Sequence, residues 1–217
     1  MTNRTLSSAR LARVLLAGAL LAVGPACTAT VKTDASSAFV IVDAVLAASG
    51  AKPDTFGGSL ASDVLTYVKR DAGGGTQVLV PTVFEDLGQV TFRLAMKDPG
   101  TATAPTTPST ANFITLTQYH VNYVRSDGRN TPGVDVPYPF DGAMTITVGS
   151  TAVTASMTLV RLQAKNEAPL RALIGGSGAL AISTIAEITF YGKDQSGHEV
   201  SVSGRISVNF ADWGDPS

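Results

Sequence analysis

The chain has 217 residues, 44% of them hydrophobic and only 15% charged, with 21 glycines, 11 prolines and a formal net charge of -1. Such a balance supplies apolar material for one sizeable core and lacks a basic surplus, which excludes a disordered chain and an electrostatic nucleic-acid binder. A lone cysteine excludes an internal disulfide, so packing must carry the stability.

Residues 1–26 read as a signal segment. Arg4, Arg10 and Arg13 precede an uncharged apolar run over residues 14–23, and no acid occurs before Cys27. Ten residues of helix reach about 15 Å, half of a hydrocarbon core, so the run is too short to span a membrane. Its removal leaves thirteen basic against seventeen acidic residues, a net charge of -4. The segment Gly24-Pro25-Ala26-Cys27 resembles the lipobox of bacterial lipoproteins: Ala26 and Cys27 match it, while Gly24 stands where leucine is usual. The resemblance implies that Cys27 is diacylated and becomes the new N-terminus. With Thr28 rather than an aspartate next, it also implies sorting to the outer membrane in a diderm bacterium. The other reading is an ordinary signal peptide cut after Gly-Pro-Ala, with Cys27 an incidental thiol. Residues 27–37 hold little to bury and form a tether, residues 38–213 a single β-domain, and residues 214–217 a tail.

Within the domain, residues 39–46 (FVIVDAVL) predict a buried strand interrupted by Asp43, placed where its carboxylate reaches solvent. A glycine-containing loop follows, then a strand over residues 62–68 and a Pro81-broken edge strand over residues 77–83. Val90, Phe92, Leu94 and Met96 alternate with polar or small neighbours, a strand with one face in the core. Residues 101–112 read as a long loop. The organising stretch is residues 113–148, where Tyr119, Val121 and Tyr123 share one face of a strand. A turn-rich connection follows, and alternation resumes at Met144, Ile146 and Val148. Residues 153–159 predict another strand. Asn166 is placed as the cap of a short helix whose Leu170 and Leu173 plug the core and which Gly175-Gly176 stops. Residues 179–191 and 200–210 close the domain as a hairpin around Gly197.

About nine strands with short connections and one crossing helix predict an all-β fold, an antiparallel sandwich. From Val90 to Phe210 the chain resembles an immunoglobulin-like sandwich of the fibronectin type III kind. VTFRLAMKDP looks like its second strand, TQYHVNYVRSDG like its Tyr-x-Val-x-Tyr third strand, and ITFYGKDQSGHEVSVSGRISVNF like its closing hairpin. Phe92 and Leu94 stand where that family has a tryptophan, and the Asn166 helix replaces its Leu-Pro-Tyr corner. The whole mature chain also looks like a group of exported bacterial proteins that share DGRNTPGVDVPYPF, a resemblance that implies no activity.

Chemistry is sparse. His120 and His198 lie in different hairpins with no cysteine at zinc spacing. Gly175-Gly176-Ser177-Gly178-Ala179 lacks the last glycine of a nucleophile elbow and reads as a helix stop. Asp127, Asp135 and Asp141 share one connection and are weak Ca²⁺ candidates, the alternative being turn formers in solvent. Tyr138, Phe140 and Trp213 are candidates for a binding surface, against the alternative of core lids. No catalytic set and no cofactor is expected. The expectation is a non-enzymatic envelope lipoprotein, a binding, adhesive or assembly module, with the membrane and an envelope protein or polysaccharide as partners. The alternative is a carbohydrate-binding module or hydrolase whose site is assembled from distant loops.

Overall fold

A computed structural model describes residues 35–176 and 178–213. The described chain is mostly β, in several sheets. Its strands are β1 (Ala38–Ala48), β2 (Ser59–Asp63), β3 (Thr66–Asp71), β4 (Gln77–Thr82), β5 (Asp86–Met96), β6 (Gly100–Thr101), β7 (Ala104–Pro105), β8 (Ile114–Val124), β9 (Phe140–Val148), β10 (Val153–Val160), β11 (Ala181–Asp194) and β12 (Glu199–Ala211). The single α-helix among the described residues, α1, is Leu162–Asn166, and a 3-10 turn follows at Leu170–Leu173.

Three strands in the order β1-β5-β10 form one sheet and five in the order β2-β12-β11-β8-β9 form the other. Their inner faces share one core because each strand alternates. On β5, Val90 and Phe92 are buried, and on β11, Ile182, Ala186, Ile188 and Phe190. The middle strands of the two sheets meet at Phe92 and Phe190, whose rings pack edge to face with centroids 4.9 Å apart. Such a pair adds about 0.5–1.5 kcal/mol beyond its area. On β12, Gly204 lets β1 approach: a Cβ there would lie 2.8 Å from Cγ2 of Val45.

Tyr119, Val121 and Tyr123 all face this core. The two hydroxyls reach across it to β10: Tyr123 Oη donates to the Leu159 carbonyl at 2.6 Å, and Thr158 N donates to Tyr119 Oη at 3.2 Å. Burial pushes the Tyr123 hydroxyl well above its usual range, which keeps it a donor. Strand β8 is therefore interior to its sheet and stitched to the other, although the middle position belongs to β11.

Four expectations need correction. The run over residues 62–68 is two strands, because Asp63 Oδ2 accepts the Thr66 hydroxyl at 2.6 Å and turns the chain out of β2. The result is a separate ribbon of β3 and β4, with Pro81 opposite Tyr67. That split, together with the β6–β7 pair, raises the described strands from about nine to twelve. The pairing is not wholly antiparallel either, since β2 joins β12 in parallel as an edge strand. Finally, Asn166 ends a helix instead of capping one, its Nδ2 donating to the Leu162 carbonyl at 3.0 Å. The helix lies one turn earlier because Ala164 and Lys165 are drawn into the interior, while Leu170 and Leu173 still pack into the core. Asp43 sits at a bulge of β1 and accepts Arg93 Nε at 2.7 Å.

Candidate ligand pocket at the Trp213 edge

Strand β2 leaves one side of the five-stranded sheet open, and the loop before it folds back beside that edge. Ala47 and Gly57 exchange two backbone hydrogen bonds of 2.9 Å, which pins the loop into an arch. Trp213 follows the end of β12 and is held there by its neighbours. Its backbone N donates to Asp63 Oδ1 at 3.1 Å, and the preceding Asp212 accepts Gly175 N at 2.6 Å. Between arch, edge strand and indole lies a cavity of about 410 Å³ lined by Ser49, Lys52, Thr55, Phe56, Thr66 and Trp213, among others. The indole N–H is itself buried and has no hydrogen-bond partner, a cost of about 1–3 kcal/mol for a donor removed from water.

Behind the arch and the edge strand, outside the cavity's own lining, lies a fully buried polar cluster. Asp86 opens β5 in phase with Val90 and Phe92, so its carboxylate points inward. It accepts Gly50 N at 2.8 Å and Lys165 Nζ at 2.8 Å on Oδ1, and Ser62 Oγ at 2.6 Å on Oδ2. Gly50 lies in the arch and Ser62 in the edge strand, so one carboxylate fixes both walls relative to the core. The side chains of Lys165 and Asp86 are 1% and 0% exposed. Burial lowers the Lys165 pKa, while the charge and hydrogen bond of Asp86 pull it back up.

A wider, more open concavity of about 900 Å³ lies on the outer face of the same sheet, with Thr117, Gln118, Tyr191, Lys193, Glu199 and Ser201 along it. It has one aromatic wall and no arch over it. The Trp213 pocket is the better site because two aromatic side chains and an edge strand enclose it.

The structure separates the residues singled out from the sequence. Trp213 lines the pocket beside β2, whereas Phe140 begins β9 at the opposite edge of the sheet. Phe140 is 7% exposed, edge-on to Tyr119 and covered by the Arg161 guanidinium 4.5 Å from its ring centroid. Tyr138 is 51% exposed and lies over Gly133. The three aspartates do not converge. Asp127 binds Arg125 Nη2 at 2.6 Å and Arg129 Nε at 3.1 Å, Asp135 accepts Thr131 N at 3.2 Å, and Asp141 pairs with His120 Nδ1 at 2.8 Å. Among the described residues, no group of three or more His, Cys, Asp or Glu is placed to hold a metal ion. His198 Nδ1 lies 2.9 Å from Asp194 Oδ2. Cys27 and the segments expected as signal and tether before residue 35 lie outside the described residues, as do Ser177 and the expected tail over residues 214–217. No described helix is long and apolar enough to cross a membrane.

Sequence reasoning missed Asp86 and Lys165. The available signal was phase: residue 86 falls on the same alternation as residues 88, 90, 92 and 94, so a carboxylate there was bound for the interior and needed a cation. Compared with protein-family models, with curated proteins and with solved structures, the chain finds no match.

Proposed function

We propose that this chain is an exported binding module, anchored through lipid on Cys27 to the cell envelope and sorted to the outer membrane. In this reading its domain is a sandwich of the immunoglobulin-like kind, and its Trp213 pocket receives a saccharide unit of an envelope polysaccharide. The observation that carries the reading is the composition of the pocket. Phe56 and Trp213 supply apolar walls, and Ser49, Thr55, Ser59 and Thr66 supply hydroxyls, with Lys52 as a further donor. A sugar ring presents the complement, an apolar face bordered by hydroxyl groups. Binding rather than turnover is favoured because the pocket's one carboxylate, Asp63, already accepts bonds from Thr66 and Trp213, and no histidine or cysteine lines the cavity. The sandwich reading is supported by the buried Tyr119, Val121 and Tyr123 face of β8, which the fibronectin type III resemblance makes a core strand.

Trp213 is the one tryptophan of the chain, so intrinsic fluorescence reports on the pocket directly. Titration with soluble peptidoglycan and outer-leaflet polysaccharide fragments should give a saturable change that Phe56→Ala abolishes without altering the far-ultraviolet dichroism. A flat response to every fragment up to millimolar concentration would remove the saccharide reading. The anchor is checked on the same preparation by mass spectrometry of the N-terminal peptide, where an unmodified Cys27 thiol would leave a soluble exported domain.

A further inference from the structure

The contact between Lys165 and Asp86 has the attributes of a reaction centre as well as of an ion pair. An amine and a carboxyl lie 2.8 Å apart with both side chains sealed from solvent. The carboxyl carries a backbone N–H donor on one oxygen and a hydroxyl on the other. We propose that Lys165 and Asp86 condense within the folded chain to an isopeptide bond, an amide joining Nζ to Cγ, with Gly50 and Ser62 assisting.

The step balances without any co-reactant. One proton passes from the Lys165 ammonium to the Asp86 carboxylate and comes to rest on Oδ2, giving a neutral amine beside a carboxylic acid whose carbonyl oxygen is Oδ1. The nitrogen lone pair attacks Cγ, and the carbonyl electron pair moves onto Oδ1, where the Gly50 N–H stabilises the developing charge. A second proton leaves nitrogen and reaches Oδ2 through the Ser62 hydroxyl, which donates to that oxygen at 2.6 Å. The Cγ–Oδ2 bond breaks, one water departs and the amide retains one N–H.

Three features of the fold favour this course. Burial lowers the basicity of Lys165, which brings the nucleophilic free amine within reach. The two groups are held in contact by β5 and α1, so the condensation is an intramolecular one with a high effective concentration. The product also removes two charges from a region where burying them is costly. The partners are 79 residues apart, and the chain's one cysteine excludes an internal disulfide, so such a bond would be the cross-link that staples β5 to α1.

Peptide mapping of the purified mature chain decides the matter. Trypsin should fail to cut after Lys165 and yield a branched species of residues 71–93 joined to residues 162–171. Its mass should fall short of the two separate peptides by one water, about 18 Da. The Lys165→Arg variant should give the unbranched peptide of residues 71–93. Ser62→Ala should delay closure, so that freshly folded protein shows both forms. Recovery of residues 71–93 alone from the parent, with cleavage after Lys165, overturns the proposal and leaves an ionic pair. Because the parent's own map is decisive, the test survives a variant that fails to fold. Equal closure rates in parent and Ser62→Ala would remove the relay assigned to Ser62.

Discussion

Asp86 and Asp127 are both carboxylates with three or more donors around them, yet they live in opposite surroundings. Asp127 sits in the turn after β8 and is gripped by Arg125 and Arg129 in open solvent, with bonds from both guanidinium groups and from Arg129 N. Asp86 meets one ammonium, one hydroxyl and one backbone N–H in the interior. A tally of contacts would rank the surface site higher. Energetics rank them the other way, because water replaces every partner Asp127 loses, whereas nothing replaces those of Asp86. What a polar cluster does for a fold therefore depends on the cost of leaving it incomplete. By that measure Asp86 ties the arch and β2 to the core, and Asp127 only shapes a turn.

The largest effect should come from breaking the inner site on one side. Asp86→Ala leaves Lys165 buried without its counter-charge or amide partner and frees Gly50 N and Ser62 Oγ, at a cost of about 3–5 kcal/mol in urea unfolding. Replacing both partners together, Asp86→Leu with Lys165→Met, removes the stranded charge and should restore a good part of that loss. A double variant no more stable than Asp86→Ala would show that the hydrogen bonds to Gly50 and Ser62, and not the charge balance, dominate.

An intermediate effect is expected at Asp194, which shares features of both sites: it lies in a turn, yet its side chain is only 5% exposed. Burial works to raise its pKa, but bonds from the side chain and backbone of His198, from Ser36 and from Ser196 outweigh burial and bring it down to about 2. With the folded value below the unfolded one, the stabilisation is full above about pH 4 and is lost as the pH falls toward 2. The stability difference between parent and Asp194→Asn should therefore shrink across that window as the pH falls. A difference independent of pH would mean that the turn is held by its backbone bonds alone.

Legibility in the sequence followed the same division. Strands whose alternation runs over several residues, such as the Val90 and Phe92 face or the closing hairpin, declared themselves because side-chain period and burial are locally linked. The break at Val64 and Leu65 did not, since it depends on one aspartate side chain choosing Thr66 Oγ1 over solvent. The parallel seat of β2 beside β12 is equally silent, being a pairing between residues about 148 positions apart. The pocket inherits that silence: its walls come from the arch, the edge strand and Trp213, and only the last was distinctive enough to be noticed. Asn166 was misplaced because a good capping residue says where a helix could begin, while Lys165 buried against Asp86 decided where it does.

The smallest effect should appear at the outer site, and its absence is informative. Hydrogen bonding from the Arg125 side chain, with help from Arg129, holds the Asp127 carboxyl well below the usual carboxylate range. It therefore stays ionised through mild acid, and its two oxygens are committed to guanidinium donors that a cation would have to displace. Asp135 and Asp141 are turned to other partners, Thr131 N and His120, so binding Ca²⁺ would require three existing interactions to open at once. Millimolar Ca²⁺ should leave the melting temperature unchanged, and Asp127→Ala should melt with the parent, the neighbouring arginines returning to water. A calcium-dependent rise in melting temperature that Asp127→Ala abolishes would reverse this ranking of the two sites. It would mean that the turn after β8 rearranges to bring Asp127, Asp135 and Asp141 onto one ion, and that its arginine contacts only hold the carboxylates apart until the cation arrives.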